Sequence, residues 1–526
     1  MKRRTVLASA AAGAAVLAAP RIANAQATTT LKFVPQADLA NLDPIWSTSD
    51  VSRNHGHAVF DTLYGMDANF VPKPQMVEGA KTEQDGKLVE LTLRDGLKFH
   101  DGTPVLARDC VASIQRWSKR DSFGGVLMSA TDELSAPSDK VIRFRLNKPF
   151  SLMPDALATP TNMAAIMPER LAKTDPFQQV TEMVGSGPYR FIAEERVSGS
   201  RAVYQKFDGY IPRPEPLSFT TGGKVARIPR VEWNVVPDPA TSAAALAAGE
   251  CDWWENPTID LVPQLKRNAN ITVVVKDTTG EMGCMRFNQL FPPFDNPAIR
   301  RIVLGAVNQK DVMEAVAGGD PTLIKIPNGV FANGTKLAND AGLDLFKGNA
   351  DPDKIKRALA AAGYKGEKIA ILAASDFPTI NAMAQVAADM LKRIGFNVDY
   401  QSLDWGTVVQ RRASKEPPDK GGWNIFFTFL GGVGNIGPAA HLGLRSNGAK
   451  AWFGWPDLPK LEAIRLSWFD APDLASQQKI ARAMQLQALE DVPYVPMGMY
   501  DQPTAFRKNI AGIPDGFPQF YGVTKT

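Results

Sequence analysis

The sequence predicts an α/β protein of more than one domain, on three observations. Its 526 residues exceed what one hydrophobic core organises. Stretches such as Val89 to Leu93 and Val141 to Leu146 alternate apolar and polar residues, the pattern of half-buried strands. Residues 369–400 read strand, helix, strand, the β-α-β order of a parallel sheet. In that unit Ile380, Met383, Ala384, Ala387, Leu391 and Ile394 recur at helical spacing, Gly395 ends the helix, and Phe396, Val398 and Tyr400 alternate.

The N-terminus reads as an export signal. Lys2, Arg3, Arg4 and Arg21 are four of the chain's 59 basic residues, and no acid lies in 1–26, so the remainder carries 55 charges of each sign. That balance removes the electrostatic argument for nucleic acid or an anionic membrane as partner. Val6 to Ala19 is apolar but too short to span a bilayer. Ala23-Asn24-Ala25 is a small-x-small cleavage site, so 1–25 is expected to be removed. Arg3-Arg4 followed by Val6-Leu7 resembles a twin-arginine signal. No cysteine stands at the cleavage site to carry a lipid, and no later apolar run reaches spanning length. The expected location is the periplasm. Cys110, Cys251 and Cys284 read as small buried apolar residues, none at metal-ligand spacing.

Taken in order, Leu31 to Val34 is a short strand and Asn41-Leu42-Asp43-Pro44 a turn, followed by a loop with Trp46, Thr48, Ser49 and Asp50. In Val89 to Trp117, a strand is followed by the turns Arg94-Asp95-Gly96 and Asp101-Gly102-Thr103-Pro104 and then by a helix with Val111, Ile114 and Trp117 on one face. Gly185 and Gly187 in VGSGPYRF allow unusual backbone angles, and Pro188 fixes the next φ. Thr241 to Glu250 is an Ala-rich helix; in the extended Asp252-Trp253-Trp254-Glu255 the two tryptophans face opposite ways, one expected in the core and one on a cleft floor. Asn296-Pro297 and Asp351-Pro352 start helices, two more are expected near 459–470 and 473–490, and a strand returns after Val492.

LRDGLKFHDGTPVLARD, residues 92–109 less its first position, resembles the signature segment of the extracellular solute-binding proteins of peptide-type ABC importers, solute-binding protein family 5. It departs at Arg108, where that family usually has Glu or Gln. NLDP, VFDTLY, VGSGPY, the 241–252 segment, the 349–364 segment and DVPYVP are similar to further motifs of the family in the same order, so the resemblance covers nearly all of residues 30–526. It implies a periplasmic-binding-protein type II-like fold, two lobes around a cleft with an extra domain on the N-terminal lobe. Lobe I is then expected at 28–60, 185–275 and 492–526, the extra domain at 61–184 and lobe II at 276–491. It also implies a monomer that captures a short peptide or other small solute by lobe closure and delivers it to an inner-membrane ABC permease, with no catalytic residues, metal or cofactor.

Enzyme motifs are largely missing. His55-Gly56-His57 reads as a solvated surface pair, since i, i+2 side chains diverge on a helix. Gly432-Val433-Gly434-Asn435-Ile436-Gly437 is formally GxGxxG, which makes an exported nicotinamide-dependent oxidoreductase the alternative. That reading needs a long helix next, whereas Pro438, Gly443 and Asn447-Gly448 follow. The resemblance implies instead that this loop lines the cleft, where peptide-binding members carry an aspartate for the peptide ammonium. No acid occurs along Val433 to Gly437. Either another acid such as Asp50 or Glu255 substitutes, or the ligand is not a free-amino peptide. Arg412 stands where some members offer an arginine to a ligand carboxylate; a surface Arg411-Arg412 pair is the other reading. The expected ligand-binding set is Trp46, Thr48, Ser49, Asp50, Trp254, Glu255, Trp405, Arg412, Phe429, Gly434 and Asn435.

Overall fold

Strand pairing divides the chain among three principal sheets. The computed structural model describes residues 30–346, 351–471 and 473–526; the expected signal over 1–25 and part of the 349–364 motif fall outside them. A seven-stranded sheet is built on the strand Thr30–Val34, which pairs in parallel with Arg230–Asn234 on one side and Trp253–Trp254 on the other. Leu31 and Phe33 are fully buried there, as their alternation requires. A six-stranded sheet contains the β-α-β unit: Lys368–Ala374 pairs in parallel with Asn397–Leu403, joined by the helix Pro378–Arg393. Every residue of Lys368–Ala374 after the first is buried, which is why it reads as an apolar run rather than an alternation. A four-stranded antiparallel sheet is formed by Val77–Glu83, Leu88–Leu93, Val141–Leu146 and Thr131–Ser135.

The chain passes directly between strands of the seven- and six-stranded sheets at 276–280 and again at Asp501–Gln502. The second crossing corrects the boundary expected near 492, because Val495–Tyr500 still pairs within the six-stranded sheet and only Pro503–Arg507 joins the other. The motif after Asp491 reads as one return strand in sequence, but it is two strands with the crossing between them. Lys325 ties the crossings together: its Nζ donates to Thr278 O at 2.8 Å and pairs with Asp501 at 2.7 Å.

Buried ion pairs hold the four-stranded sheet's module to the seven-stranded sheet. Asp43 of the NLDP turn pairs with Arg116 of the helix Ala107–Ser118 at 2.6 Å, with both side chains at most 1% exposed. Asp61 pairs with Lys224 at 2.8 Å, and accepts from Tyr210 Oη and Gln75 Nε2. Burial alone raises the Asp61 carboxyl, but the Lys224 charge and these bonds outweigh it and hold it below the ordinary value. The glycines of VGSGPY have a steric reason. Gly187 N donates to Val59 O, and a Cβ on Gly185 would stand 2.0 Å from that same oxygen. The motif clasps the end of the helix Asp50–Val59, a segment the sequence reading left as loop through Asp50. His100, inside the signature segment, braces the clasp: its Nε2 donates to Gly187 O and its Nδ1 accepts from Gly185 N.

Gly185→Ala should therefore lower unfolding stability by about 1–3 kcal/mol, because the new methyl meets backbone that cannot yield. Gly79→Ala, which meets nothing within 4 Å, should stay within about 0.5 kcal/mol in the same urea titration.

Candidate functional site

The helix Asp50–Val59 begins at the N-cap Ser49, whose hydroxyl joins those of Ser47 and Ser52. Asp50 lies in the first turn, where the helix end favours an anion. One turn on, Arg53 pairs with Asp50 at 2.8 Å, and its guanidinium covers the Phe517 ring at 4.2 Å. Arg53 also donates to Asn54 Oδ1, and Asn54 Nδ2 donates to Glu255 Oε1 at 2.9 Å. Gln36 N donates to the other Glu255 oxygen at 2.7 Å. All of these belong to the seven-stranded side. From the six-stranded side come Glu281, first residue of its strand, and Gly431, its cross-strand partner. A Cβ on Gly431 would lie 3.6 Å from Arg53 Nη1 and 3.7 Å from Asp50 Oδ2, so a side chain here would fill the space against this pair.

Three carboxylates and one guanidinium thus meet where the two sheets face. Burial pushes the Glu255 carboxyl up to about 7, against the pull of Gln36 N–H and Arg53. Burial, with the charges of Asp50 and Asp277, raises Glu281 well above the ordinary range, and its side chain has no hydrogen bond or ion pair among the described residues.

A second charged feature stands further along the strand Ile425–Gly431. The helix Trp405–Arg411 is capped by Asp404, and Arg412 follows it at once. The Arg412 guanidinium lies 5.0–5.7 Å from the centres of the Trp405, Phe426, Trp452 and Phe453 rings. It is 9% exposed, its Nε lacks a partner, and it forms no ion pair among the described residues. Two other buried arginines show the contrast. Arg286 donates to the carbonyls of Gly443, Trp452, Phe453 and Pro493, and Arg300 to those of Phe294, Asp295, Asp491 and Val492. Burial lowers the Arg412 guanidinium to about 10. Its neighbour Arg411 is the surface half of the pair, bonded to Gln401 and to the carbonyls of Gly421 and Gly422. Arg412 meets this strand at Phe426, near its start, and the acidic cluster meets it at Gly431, its end, two positions whose side chains face opposite sides of the sheet.

The structure gathers some of the expected residues and scatters others. Asp50 and Glu255 meet, and Trp405 and Arg412 meet. Phe429 packs edge-on against Tyr500, whose phenol is near Glu281. Trp46 lies apart, bonded through Nε1 to Phe177 O and covered by Arg120, while Thr48 is exposed. Trp254 corrects the cleft-floor expectation: it is buried with Val34, Leu246 and Leu265, and Trp253 is buried on the opposite face against Phe33 and Phe520. His55 and His57 are a further correction, for both are fully enclosed rather than solvated. His55 Nδ1 is 2.9 Å from the Tyr204 hydroxyl and His57 Nε2 donates to Pro160 O. Burial, aided by Arg196 and Lys224 respectively, brings both imidazoles down to about 3 and keeps them neutral.

The glycine-rich loop forms a short 3-10 turn, Gly432–Asn435, with no long helix after it, so the nucleotide reading has no frame. Gly432 N donates to Gly280 O, and a Cβ there would stand 1.8 Å from Thr279 O. The glycine exists to let the loop lie on the first crossing. Asn435 closes the turn by donating to Leu430 O and Gly431 O, and Gly434 sits against Thr161. The sequence reading missed Arg53 and Glu281. Arg53 three residues after Asp50 was a visible helical pairing signal once a helix is assigned there; Glu281 carried none. Among the described residues no group of three His, Cys, Asp or Glu is placed to hold a metal ion.

The family model of bacterial extracellular solute-binding proteins, family 5, matches residues 71–444. A relative named as a probable peptide ABC transporter periplasmic-binding protein, from Sinorhizobium fredii, is 36% identical over all of this chain and 99% of its own length. A glutathione-binding protein of Pectobacterium atrosepticum is 24% identical over 74% of this chain and 72% of its own. Among solved structures, a periplasmic binding protein from A. tumefaciens in complex with agropinic acid superposes with a TM-score of 0.78 at 23% identity, covering 94% of this chain and 99% of that one. A Helicobacter pylori ABC transporter-associated binding protein in complex with the peptide STSA gives 0.79 at 20% identity, covering 96% and 99%.

A buried guanidinium with no counter-charge destabilises the chain that holds it. Arg412→Met should leave the ligand-free protein as stable as the parent or raise its melting temperature, whereas Arg286→Met, which strands four carbonyls, should lower it by several degrees in the same calorimetric scan.

Proposed function

The chain belongs to the family 5 bacterial extracellular solute-binding proteins, the binding components of ABC importers for peptides and related solutes, and from that premise we propose that its ligand is a zwitterion held between Arg412 and the Asp50–Glu255–Glu281 cluster. The observation that carries this reading is Arg412: a guanidinium this enclosed, walled by four rings and without an anion among the described residues, is completed by a carboxylate from outside. The cluster supplies the opposite charge. It stands next to the loop in which peptide-binding relatives are expected to carry an aspartate, and this chain has none there. A cationic group set among three carboxylates and one guanidinium relieves their repulsion. No covalent chemistry is required; the ligand need only bind the closed arrangement better than the open one.

The division of labour follows the sheets. Lobe I takes the strands of the seven-stranded sheet, about 30–60, 185–275 and 503–526, and lobe II about 276–500, with 61–184 as the added domain. The two crossings serve as the hinge. The closed form, acting as a monomer in the periplasm, then docks on an inner-membrane permease. No helix among the described residues is long and apolar enough to cross a membrane.

The test is native mass spectrometry of the protein purified from its own periplasm, followed by denaturation and identification of what is released. A molecule with both a carboxylate and an ammonium or guanidinium is expected. A released ligand without a carboxylate sinks the Arg412 reading, and one without a cation sinks the cluster's role.

Proton linkage gives a second test. Glu255 titrates near 7 when buried against an ordinary 4.5. Folding therefore takes up a proton, and the stability this contributes is complete below about 4.5 and lost as pH rises through about 7. A cationic ligand favours the ionised form, so binding at pH 7 should release about half a proton per ligand from Glu255 alone. Calorimetry of the released ligand in buffers of different ionisation enthalpy measures this, and Glu255→Gln should remove that share.

A further inference from the structure

The module of the four-stranded sheet does more than sit on the seven-stranded side: it also touches the six-stranded side, across the mouth between them. Ser122 Oγ donates to Ala439 O at 2.6 Å. The Phe123 ring is 5.5 Å from that of Phe469, and Phe150 backs it at 6.3 Å. Lys148 pairs with Asp470 at 2.7 Å on the rim, and Thr161 Cγ2 lies 3.4 Å from where Gly434 would carry a Cβ. Phe123, Leu127, Trp468 and Phe469 are all buried in this contact's common core.

Each side of the contact is tethered to a different sheet. The module is fixed to the seven-stranded side by Asp43–Arg116 and Asp61–Lys224. The segment that receives it is fixed to the six-stranded side by Arg286, which binds the carbonyls of Gly443, Trp452 and Phe453, and by His441, whose Nε2 donates to Val330 O. The two sheets are joined by backbone at 276–280 and 501–502. A rotation at those crossings that parts the sheets must pull Ser122 and Phe123 away from Ala439 and Phe469.

We propose that the Ser122–Phe123 corner and the Ala439–Phe469 surface form a clasp that holds the closed arrangement and touches neither Arg412 nor the Asp50–Glu255–Glu281 cluster. This rests on reading the crossings as a hinge, but not on the identity of the ligand. An aromatic pair and a hydrogen bond gained on closing bias the ligand-free protein toward the closed form. Affinity for a ligand that binds only the closed form rises in proportion to the closed fraction.

The test needs no ligand. Nitroxide labels are placed through Glu83→Cys in the four-stranded sheet and Lys460→Cys in the helix Pro459–Ser467, since the three native cysteines are buried and escape labelling. Double electron–electron resonance then gives the distance distribution of the ligand-free chain. In the Phe123→Ala/Ser122→Ala variant the closed-to-open ratio should fall about tenfold, the combined effect of an aromatic pair and a hydrogen bond. If that variant fails to fold by circular dichroism, Ser122→Ala/Lys148→Glu, altered only at the contact's edge, decides, with a smaller shift in the same direction expected. An unchanged distribution in the folded variants, or a parent that is wholly open, overturns the clasp. A clasp confirmed alongside a ligand that lacks a carboxylate would leave this inference standing while removing the Arg412 reading.

Discussion

The seven- and six-stranded sheets are joined by two short backbone crossings held together by one lysine. Lys325 bonds to Thr278 O on the first crossing and to Asp501 on the second, so the crossings share a fixed separation. Gly432 rests on the first of them, at a distance no side chain allows. The strand that ends at Gly431 is thereby positioned from the crossing itself, by backbone contacts rather than by long side chains.

Buried charge divides into two kinds. Asp43, Asp61, Arg116, Lys224, Arg286 and Arg300 are enclosed and satisfied, by ions or by carbonyls, and each ties one part of the fold to another. Arg412 is enclosed with its Nε unpartnered, and Glu281, half-buried, has no hydrogen bond or ion pair among the described residues. A satisfied buried charge costs little once its network is complete, whereas an unsatisfied one is a standing penalty. Arg412 follows a helix and Glu281 opens a strand, and both belong to the side of the six-stranded sheet.

The sequence disclosed the parts of this arrangement that rest on periodicity and on strong local motifs. The β-α-β unit, the caps at Asn296 and Asp351 and the helices near 459 and 474 are where the pattern put them. The errors share a cause, which is burial decided at long range. His55 and His57 looked like a surface pair because nothing local announces that Tyr204 and Pro160 enclose them. Trp254 looked free to face a cleft because it is covered from both sides of the chain, by Leu246 of the preceding helix and Leu265 of the following one, and that packing is invisible in a two-residue strand. The Val495–Tyr500 strand was placed in the first lobe because nothing local says which sheet a strand pairs in, and Asp501-Gln502 reads equally as a turn within one sheet. Asp50, Glu255 and Arg412 were legible only as residue types missing a counterpart. Glu281 was not legible at all, since its importance arises from the pairing with Gly431.

The placement of the two poles orders the events of capture on the proposed reading. Arg412 and the four rings around it all belong to the six-stranded side, so a carboxylate finds a complete site before the lobes approach. The acidic cluster is different: Asp50 and Glu255 come from one side and Glu281 from the other, so it is assembled only by closure. A ligand with a carboxylate alone binds the open and closed forms equally at Arg412 and cannot shift them, since equal affinity moves no equilibrium. A cation has the differential affinity, because only the closed form presents all three carboxylates. Docking of the anion is then a matter of affinity, and closure is a matter of the cation. The unsatisfied Glu281 opposite Asp50 counts against closure without a cation, opposing the clasp, and so discriminates against ligands that fit but lack the second charge.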